Sequence, residues 1–295
     1  MTDRWAAVVV NYDAGDHLVP CVRSLLVDDS CGAAPGVVVV DNGSTDGSCE
    51  ALARACPDVV ILRPGTNLGY ARAANLGIAA TDAPVVAVCN PDLVLGPGTA
   101  AAMLARLDGA PRLAAVGPSI TNPDGSVYPS ARRVPSVGDA VGHGLLGLVW
   151  PSNPFTRRYR QLDADWTEAR EVDWVSGAAI WLRRDALDDV GGWDERYFMY
   201  VEDVDLCWRL RRAGWSVLYE PAGHVLHVQG VSTARRPVRM IVEHHRSLYR
   251  FAKRRWTGWR RVLLPPAAVY LAVRAALAIL VHSVPGRRRA ARVNG

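Results

Sequence analysis

"GVVVVDNGSTDGS", residues 36–48, sets four consecutive valines against a tail of polar and turn-forming residues. A β-branched run without polar alternation cannot leave one face in water. It suits a strand covered on both faces, as in parallel sheets. The same design recurs in "AAVVVNY" (residues 6–12) and "APVVAVCNPD" (residues 83–92). Helix-like segments over 17–27, 48–55, 70–80 and 98–107 separate and follow these runs. Strand–helix alternation predicts an α/β fold with a mostly parallel, doubly wound sheet. Ligands of such sheets bind beyond the carboxyl ends of the strands. Here each run ends in a polar cluster: Asn11, then Asp41-Asn42-Gly43, then Asn90-Pro91-Asp92.

At 295 residues and 49% hydrophobic content the chain can bury a full core, as one large domain or a domain with an appendage. The net charge of +5 is unevenly placed. From Arg235 onward there are fifteen Lys/Arg against one acidic residue, Glu243, so this tail carries +14 and residues 1–234 carry −9. The division expected is therefore 1–234 for an acidic body and 235–295 for a basic, apolar, helical extension. Such a tail suits a polyanion, either nucleic acid or an anionic membrane face. The six cysteines form no C-x-x-C pair and read as reduced packing residues rather than a disulfide or zinc framework. "MTDRW" leads straight into a strand-like run with no signal peptide, so a cytoplasmic location is expected.

Between residues 117 and 174 the pattern loosens into a Pro- and Gly-rich stretch that reads as a binding loop. "VDWVSGAAIWLRR" then reads as a strand, and "RRDALDDVGGWDERY" as a helix ending in Gly-Gly. "MYVEDVDLCWR" opens the next helix, with Val204, Cys207 and Leu210 on one face and Glu202, Asp203 and Asp205 crowded at its start. "WSVLYEP" and "HVLHVQG" return to strand character. In the tail, "VLLPPAAVYLAVRAALAILVHSV" is long enough to raise a transmembrane question. Pro265-Pro266 break its start, and Arg274 near its middle would cost roughly 2.5–3.5 kcal/mol in a bilayer. Helices lying in the membrane interface are the favoured reading, beside a span or packing on the body or a partner.

Several of these residues carry two readings. Asp41 is either a turn residue or a carboxylate accepting from a pyrimidine imide N–H. "NLGYARAAN" (residues 67–75) is either a capped helix start or an anion site for a diphosphate. Asp92 is either a helix cap or a hard oxygen ligand for Mg²⁺ or Mn²⁺. His227 is either a core histidine or a second ligand, with His224 as competitor.

Taken in order, "VVVNY", "DNGSTDG", "NLGYARAANLGI", "NPD", "VSGAAIWLRR", "GGWDERYFMYVEDVDLCWRLRRAGW" and "HVQGVS" resemble the inverting family-2 glycosyltransferases of the GT-A fold. The resemblance covers about residues 5–232. It implies that Asn11 and Asp41 hold the nucleotide, while Asn67 and Gly69 line the donor pocket. Asp92 stands for the remaining carboxylate of the family's D-x-D metal motif, whose first position here is Asn90, and His227 completes the Mg²⁺ or Mn²⁺ site. Asp203 is implied as the general base, with Trp174 and Glu202 facing the acceptor sugar. Asp205 is expected to hold the helix start or to pair with Arg209 at i+4.

"PDGSVYPSARRVPS", "WPSNPFTRRYRQ" and the basic tail are further similar to the actinobacterial rhamnosyltransferases that build the arabinogalactan linkage unit. This likeness implies a dTDP-L-rhamnose donor and a polyprenyl-diphosphate-linked GlcNAc acceptor met at the cytoplasmic face of the membrane. Arg132 and Arg133 could meet the acceptor diphosphate, or be a solvated loop pair. Rival readings are a galactofuranosyl- or other sugar transferase on the same kind of lipid, and a non-catalytic nucleic-acid-binding protein. Nucleic acid is set aside as a partner, and assembly stays open between a monomer and a homodimer.

Overall fold

A computed structural model describes residues 4–28, 34–134, 152–161, 165–228 and 237–283, with single positions at 138, 139, 142, 146 and 150. The three valine-rich runs form β1 (Ala6–Asn11), β2 (Gly36–Asp41) and β4 (Val85–Cys89), joined by β3 (Val60–Leu62) into one parallel block. Between them lie α1 (Leu18–Leu26), α2 (Ser48–Ala55) and α3 (Tyr70–Ala79). Beyond β4 the sheet turns mixed. The order is β3-β2-β1-β4-β11-β6-β12-β5, in which β11 (Ala179–Arg183) runs antiparallel to both β4 and β6 (Leu113–Thr121). Strand β12 (Ser216–His227) lies parallel to β6 and antiparallel to β5 (Leu93–Leu95). The short β7 (Val127–Tyr128) pairs with β6 and β9 (Arg170–Glu171) with β12, and the short helix α5 (Pro154–Arg160) lies between them in the chain.

Alternate residues of one strand feed two separate cores, which is why the runs contain no polar residue. Ala7, Val9, Val37, Val39, Ala87 and Cys89 pack with α1, α2 and α4 (Thr99–Gly109) on one face. Val8, Val10, Val40, Val86 and Val88 pack with α3, α6 (Arg184–Val190) and α7 (Glu202–Arg212) on the other. On α7, the face formed by Val204, Cys207 and Leu210 is buried. The five described cysteines are buried and unpaired, and Cys31 lies outside the described residues.

Three differences from the sequence reading have physical causes. Strand β6 lies inside the sheet although Gly117 and Pro118 read as breakers. Gly117 is small because a Cβ there would stand 2.6 Å from the Cβ of Val175. "VDWVSGAAIWLRR" is two strands, β10 (Trp174–Val175) and β11, split at Ser176-Gly177-Ala178. β10 leaves the main sheet to pair with β8 (Ala131–Arg132) in a small two-stranded sheet. "WSVLYEP" and "HVLHVQG" are one strand, β12, with its pairing to β6 shifted between Glu220 and His224.

The expected boundary after residue 234 falls outside the described residues. Beyond it, α8 (Pro237–Arg255) packs on the body, with Phe251 buried in the core cluster of α7 and its ring 6.0 Å from that of Trp208. The last described helix, α9 (Leu264–Ser283), packs along α8. Arg274 of α9 donates to Nε2 of His245 at 2.9 Å, while Nδ1–H of His245 donates to the Ile241 carbonyl at 2.7 Å.

Gly77 of α3 measures how closely the helix lies on the sheet, since an added Cβ would fall 2.3 Å from Cγ1 of Val8 and 3.1 Å from Cγ2 of Val40. Gly77→Ala should therefore destabilise the fold by about 1–3 kcal/mol through overpacking, despite alanine's better helix propensity. Urea unfolding checks this, and an unchanged or raised midpoint would contradict the packing.

Candidate active site

The carboxyl ends of β1, β2 and β4 open on the same edge because these strands run parallel, and Asn11 and Asp41 are register partners. Asn11 is fully buried. Its Nδ2 faces the loop after β2, within 3.0 Å of Ser44 Oγ and 3.1 Å of Ser48 Oγ, so it braces that loop from below. Asp41 accepts from the Ser44 N–H at 2.9 Å, and its second oxygen lies 3.7 Å from Arg63 Nε.

Asn42, which the sequence reading leaves as a turn residue, joins this loop to the start of α3. It accepts from the Leu68 N–H at 2.7 Å and donates to Asn67 Oδ1 at 3.2 Å. Its place between the strand end and Gly43 was the available signal. Asn67 Oδ1 also accepts from the Gly69 N–H at 3.0 Å. Gly69 has φ 83°, and a Cβ there would stand 2.6 Å from the Phe198 carbonyl oxygen, so only glycine fits.

The pairing of β5 with β12 places His227 opposite Leu93 and hence beside Asp92. Nε2 of His227 lies 3.1 Å from Asp92 Oδ1 and 3.3 Å from Asn90 Nδ2, while its Nδ1 is buried without a partner among the described residues. Adjacent ligands at about 2.1 Å around an octahedral cation stand roughly 3.0 Å apart. The Asp92–His227 separation fits that geometry. Among the described residues no cluster of three or more His, Cys, Asp or Glu forms, so such an ion would need further ligands from a bound substrate and water.

Glu202 and Asp203 begin α7, following Tyr200 and Val201, which are both left-handed (φ 66° and 68°). Such backbone costs about 1–3 kcal/mol per residue and is found where position matters. Asp203 is partly exposed and accepts from the N–H of Gly177 at 2.9 Å and of Val204 at 2.8 Å. Burial raises its carboxyl above the ordinary range, while those N–H groups and the Arg132 charge act in the opposite direction. Glu202 is buried with Oε2 unpartnered, and burial together with the Asp203 charge pushes its carboxyl well above the ordinary range. Of two adjacent carboxylates, the one with donors takes the charge and its neighbour keeps a proton. Tyr70, a residue the sequence reading did not single out, closes this corner by donating to the Gly177 carbonyl at 2.6 Å.

Arg132 and Arg133 part ways. Arg132 sits over Trp174 (5.2 Å), Tyr128 and Tyr159 (5.6 Å each), opposite Trp174 in the β8–β10 pair. Arg133 is exposed. Asp205, fully buried, accepts from Arg209 at 2.7 Å and from Arg254 at 3.1 Å, so it serves the fold.

Unfolded, Glu202 titrates near 4.3; folded, it titrates well above that. Its ionised form therefore opposes folding, with no penalty below the unfolded value and a growing one as pH rises toward the folded value. Glu202→Gln should raise the melting temperature at pH 7, by an amount that shrinks as pH falls to 4. Melts across that range check this, and a pH-independent difference would contradict it.

Residues 3–257 match the family model described as "Glycosyltransferase like family 2". The N-acetylglucosaminyl-diphospho-decaprenol L-rhamnosyltransferase of Mycobacterium tuberculosis is 44% identical over 275 residues, 90% of this chain and 89% of that protein. The rhamnosyltransferase WbbL of Escherichia coli is 35% identical over 98 residues, 33% of this chain and 34% of that one. Among solved structures, the mannosyltransferase PcManGT of Pyrobaculum calidifontis, in complex with GDP-Man and Mn2+, gives a TM-score of 0.57 at 17% identity over 99% of this chain and 79% of that one. GalNAc-T7 with UDP, GalNAc and Mn2+ gives 0.58 at 16% identity over 77% of this chain and 44% of that one. These two likenesses establish the GT-A fold. With the family match running through the body and α8, the chain belongs to the family-2 glycosyltransferases.

Proposed function

We propose that the protein transfers L-rhamnose from dTDP-L-rhamnose to the 3-hydroxyl of GlcNAc on a polyprenyl-diphosphate lipid, with inversion at the anomeric carbon. The observation that carries the substrate assignment is the 44% identity, over nearly the full length of both chains, to a rhamnosyltransferase named for that acceptor. The site is consistent with single displacement. Asp203 is the general base, its ionised form favoured by two N–H donors and Arg132 against the effect of burial, while partly open to the acceptor. It takes the proton of the attacking hydroxyl as the new glycosidic bond forms and the nucleoside diphosphate leaves. Asp41 accepts from the thymine imide, and the loop held by Asn11, Asn42 and Asn67 shapes the pocket around the nucleotide. Trp174 and Glu202 face the acceptor sugar, and Arg132 its diphosphate. Asp92 and His227, with Asn90 alongside, would hold Mg²⁺ or Mn²⁺. When bound, the cation supplies charge neutralisation on the departing diphosphate.

The acceptor is a membrane lipid, and the C-terminal helices suit a peripheral seat on an anionic leaflet. Residues Gly258–Val281 are long and apolar enough to cross a bilayer. Trp259, Val262, Val269, Val273 and Leu280 are exposed along this stretch, beside the basic Arg260 and Arg261. Arg274, the charge that argues against a span, is turned toward His245 on α8. This arrangement favours helices lying on the surface over a crossing.

Product analysis with dTDP-rhamnose and a short-chain prenyl-diphosphate-GlcNAc tests the assignment. Transfer is expected, and activity with UDP-galactofuranose but none with dTDP-rhamnose would overturn it. Asp203→Asn should lower turnover by about 10²–10⁴ with donor binding retained. His227→Ala should weaken metal activation, whereas full activity in EDTA would remove the Asp92–His227 ion from the scheme.

A further inference from the structure

Helix α8 lies outside the sheet, yet it contacts residue after residue of the 194–205 segment that delivers the general base. Arg239 stacks over the Phe198 ring at 4.4 Å, and the His244 ring lies 5.3 Å from that of Tyr200. Ser247 Oγ donates to the Met199 carbonyl at 3.0 Å, and Arg250 donates to the Arg196 carbonyl. Arg254 then reaches Asp194 with the same nitrogen that contacts both Asp205 oxygens at 3.1 Å. These two carboxylates mark the ends of the segment. Within it lie Phe198, whose carbonyl accepts from the Tyr70 N–H at 2.8 Å, the left-handed pair Tyr200-Val201, and Glu202-Asp203.

We propose that Arg254 is a positioning residue for Asp203, a clasp that closes the 194–205 segment from α8 and holds the left-handed turn before α7. The inference rests on Asp203 being the base. A turn in a sparsely populated conformation persists only where its surroundings over-determine it, and here α8 supplies contacts at Arg196, Phe198, Met199 and Tyr200. Asp205 keeps Arg209 and the Tyr197 hydroxyl (3.2 Å) as partners when Arg254 is removed, so the fold retains a compensated carboxylate. What is lost is the tie between the two ends. Asp194 reports the same tie: burial raises its carboxyl, but Arg196 and Arg254 more than reverse this and hold it at about 2.

The test is Arg254→Met in the full chain, beside Arg254→Lys. The Met variant should lower kcat at least tenfold, leave the donor KM within twofold, and move the acid limb of the kcat profile upward as Asp203 loses its aimed N–H donors. Lysine should restore part of kcat, because an ammonium is a compact point charge without the guanidinium's fork. Independently of turnover, amide hydrogen exchange over 194–205 should quicken while the β1–β4 block stays unchanged. If Arg254→Met aggregates, Ser247→Ala, which removes only the bond to Met199, should give the same kcat-selective loss and local exchange. Unchanged exchange across 194–205, or a kcat loss that merely follows the folded fraction, overturns the proposal. Absence of transfer by the wild-type enzyme with intact exchange effects would instead count against the rhamnosyl assignment.

Discussion

Two carboxylates side by side at the start of a buried helix are the hardest electrostatic demand in this protein, and much of the surrounding architecture answers it. Desolvation favours the neutral form of both Glu202 and Asp203, and the Asp203 charge adds to it at Glu202. Among the described residues the N–H groups of Gly177 and Val204 are aimed at Asp203, while Glu202 Oε2 has no donor. The break between β10 and β11 exists where Gly177 must offer its N–H to Asp203, and a Cβ at Gly177 would come 3.3 Å from that of Asp203. A regular strand through residues 176–178 would place that N–H in the sheet ladder instead. The irregularity is therefore what gives Asp203 an aimed N–H donor that a regular strand would withhold.

The edge at the carboxyl ends of the strands obeys a different constraint, that of strand direction. Parallel pairing brings the ends of β1, β2 and β4 to one edge, so residues thirty or more positions apart become neighbours without dedicated side-chain contacts. Antiparallel β5 and β12 then close the edge, bringing His227 to Asp92 across a separation of 135 residues. Backbone register thus sets the Asp92–His227 pair. The side-chain network of Asn11, Asn42 and Asn67 holds the intervening loops.

Features set by local pattern were legible in the sequence: the valine runs, the polar strand ends, the buried face of α7 and the Asp205–Arg209 pair. Strand β6 was not, because Gly117 and Pro118 act as breakers by propensity while tertiary packing against Val175 requires the small residue. Asn42 and Tyr70 were passed over for a related reason. Each acts through bonds to backbone far away in the chain, Leu68 for Asn42 and Gly177 for Tyr70, which no local spacing reveals. The family resemblance named the positions. The structure supplies the differences between neighbours, such as buried-in-aromatics Arg132 against exposed Arg133.

The basic tail divides its charge between the fold and the surface. Its +14 charge reads as a single polyanion-binding feature. In the folded chain that charge has at least two destinations. Arg239, Arg250 and Arg254 turn to the segment before α7, and Arg274 turns to His245. Lys253, Arg260 and Arg261 remain exposed near Trp259 and the apolar face of α9. A charge bound to a buried carboxylate is not free to attract lipid phosphates, so the field presented to a membrane is smaller than the count suggests. The inward-facing arginines have another consequence. They tie α8, which leads into the exposed apolar helix α9, to the backbone of the 194–205 segment, so the tail and the start of α7 share one packed element.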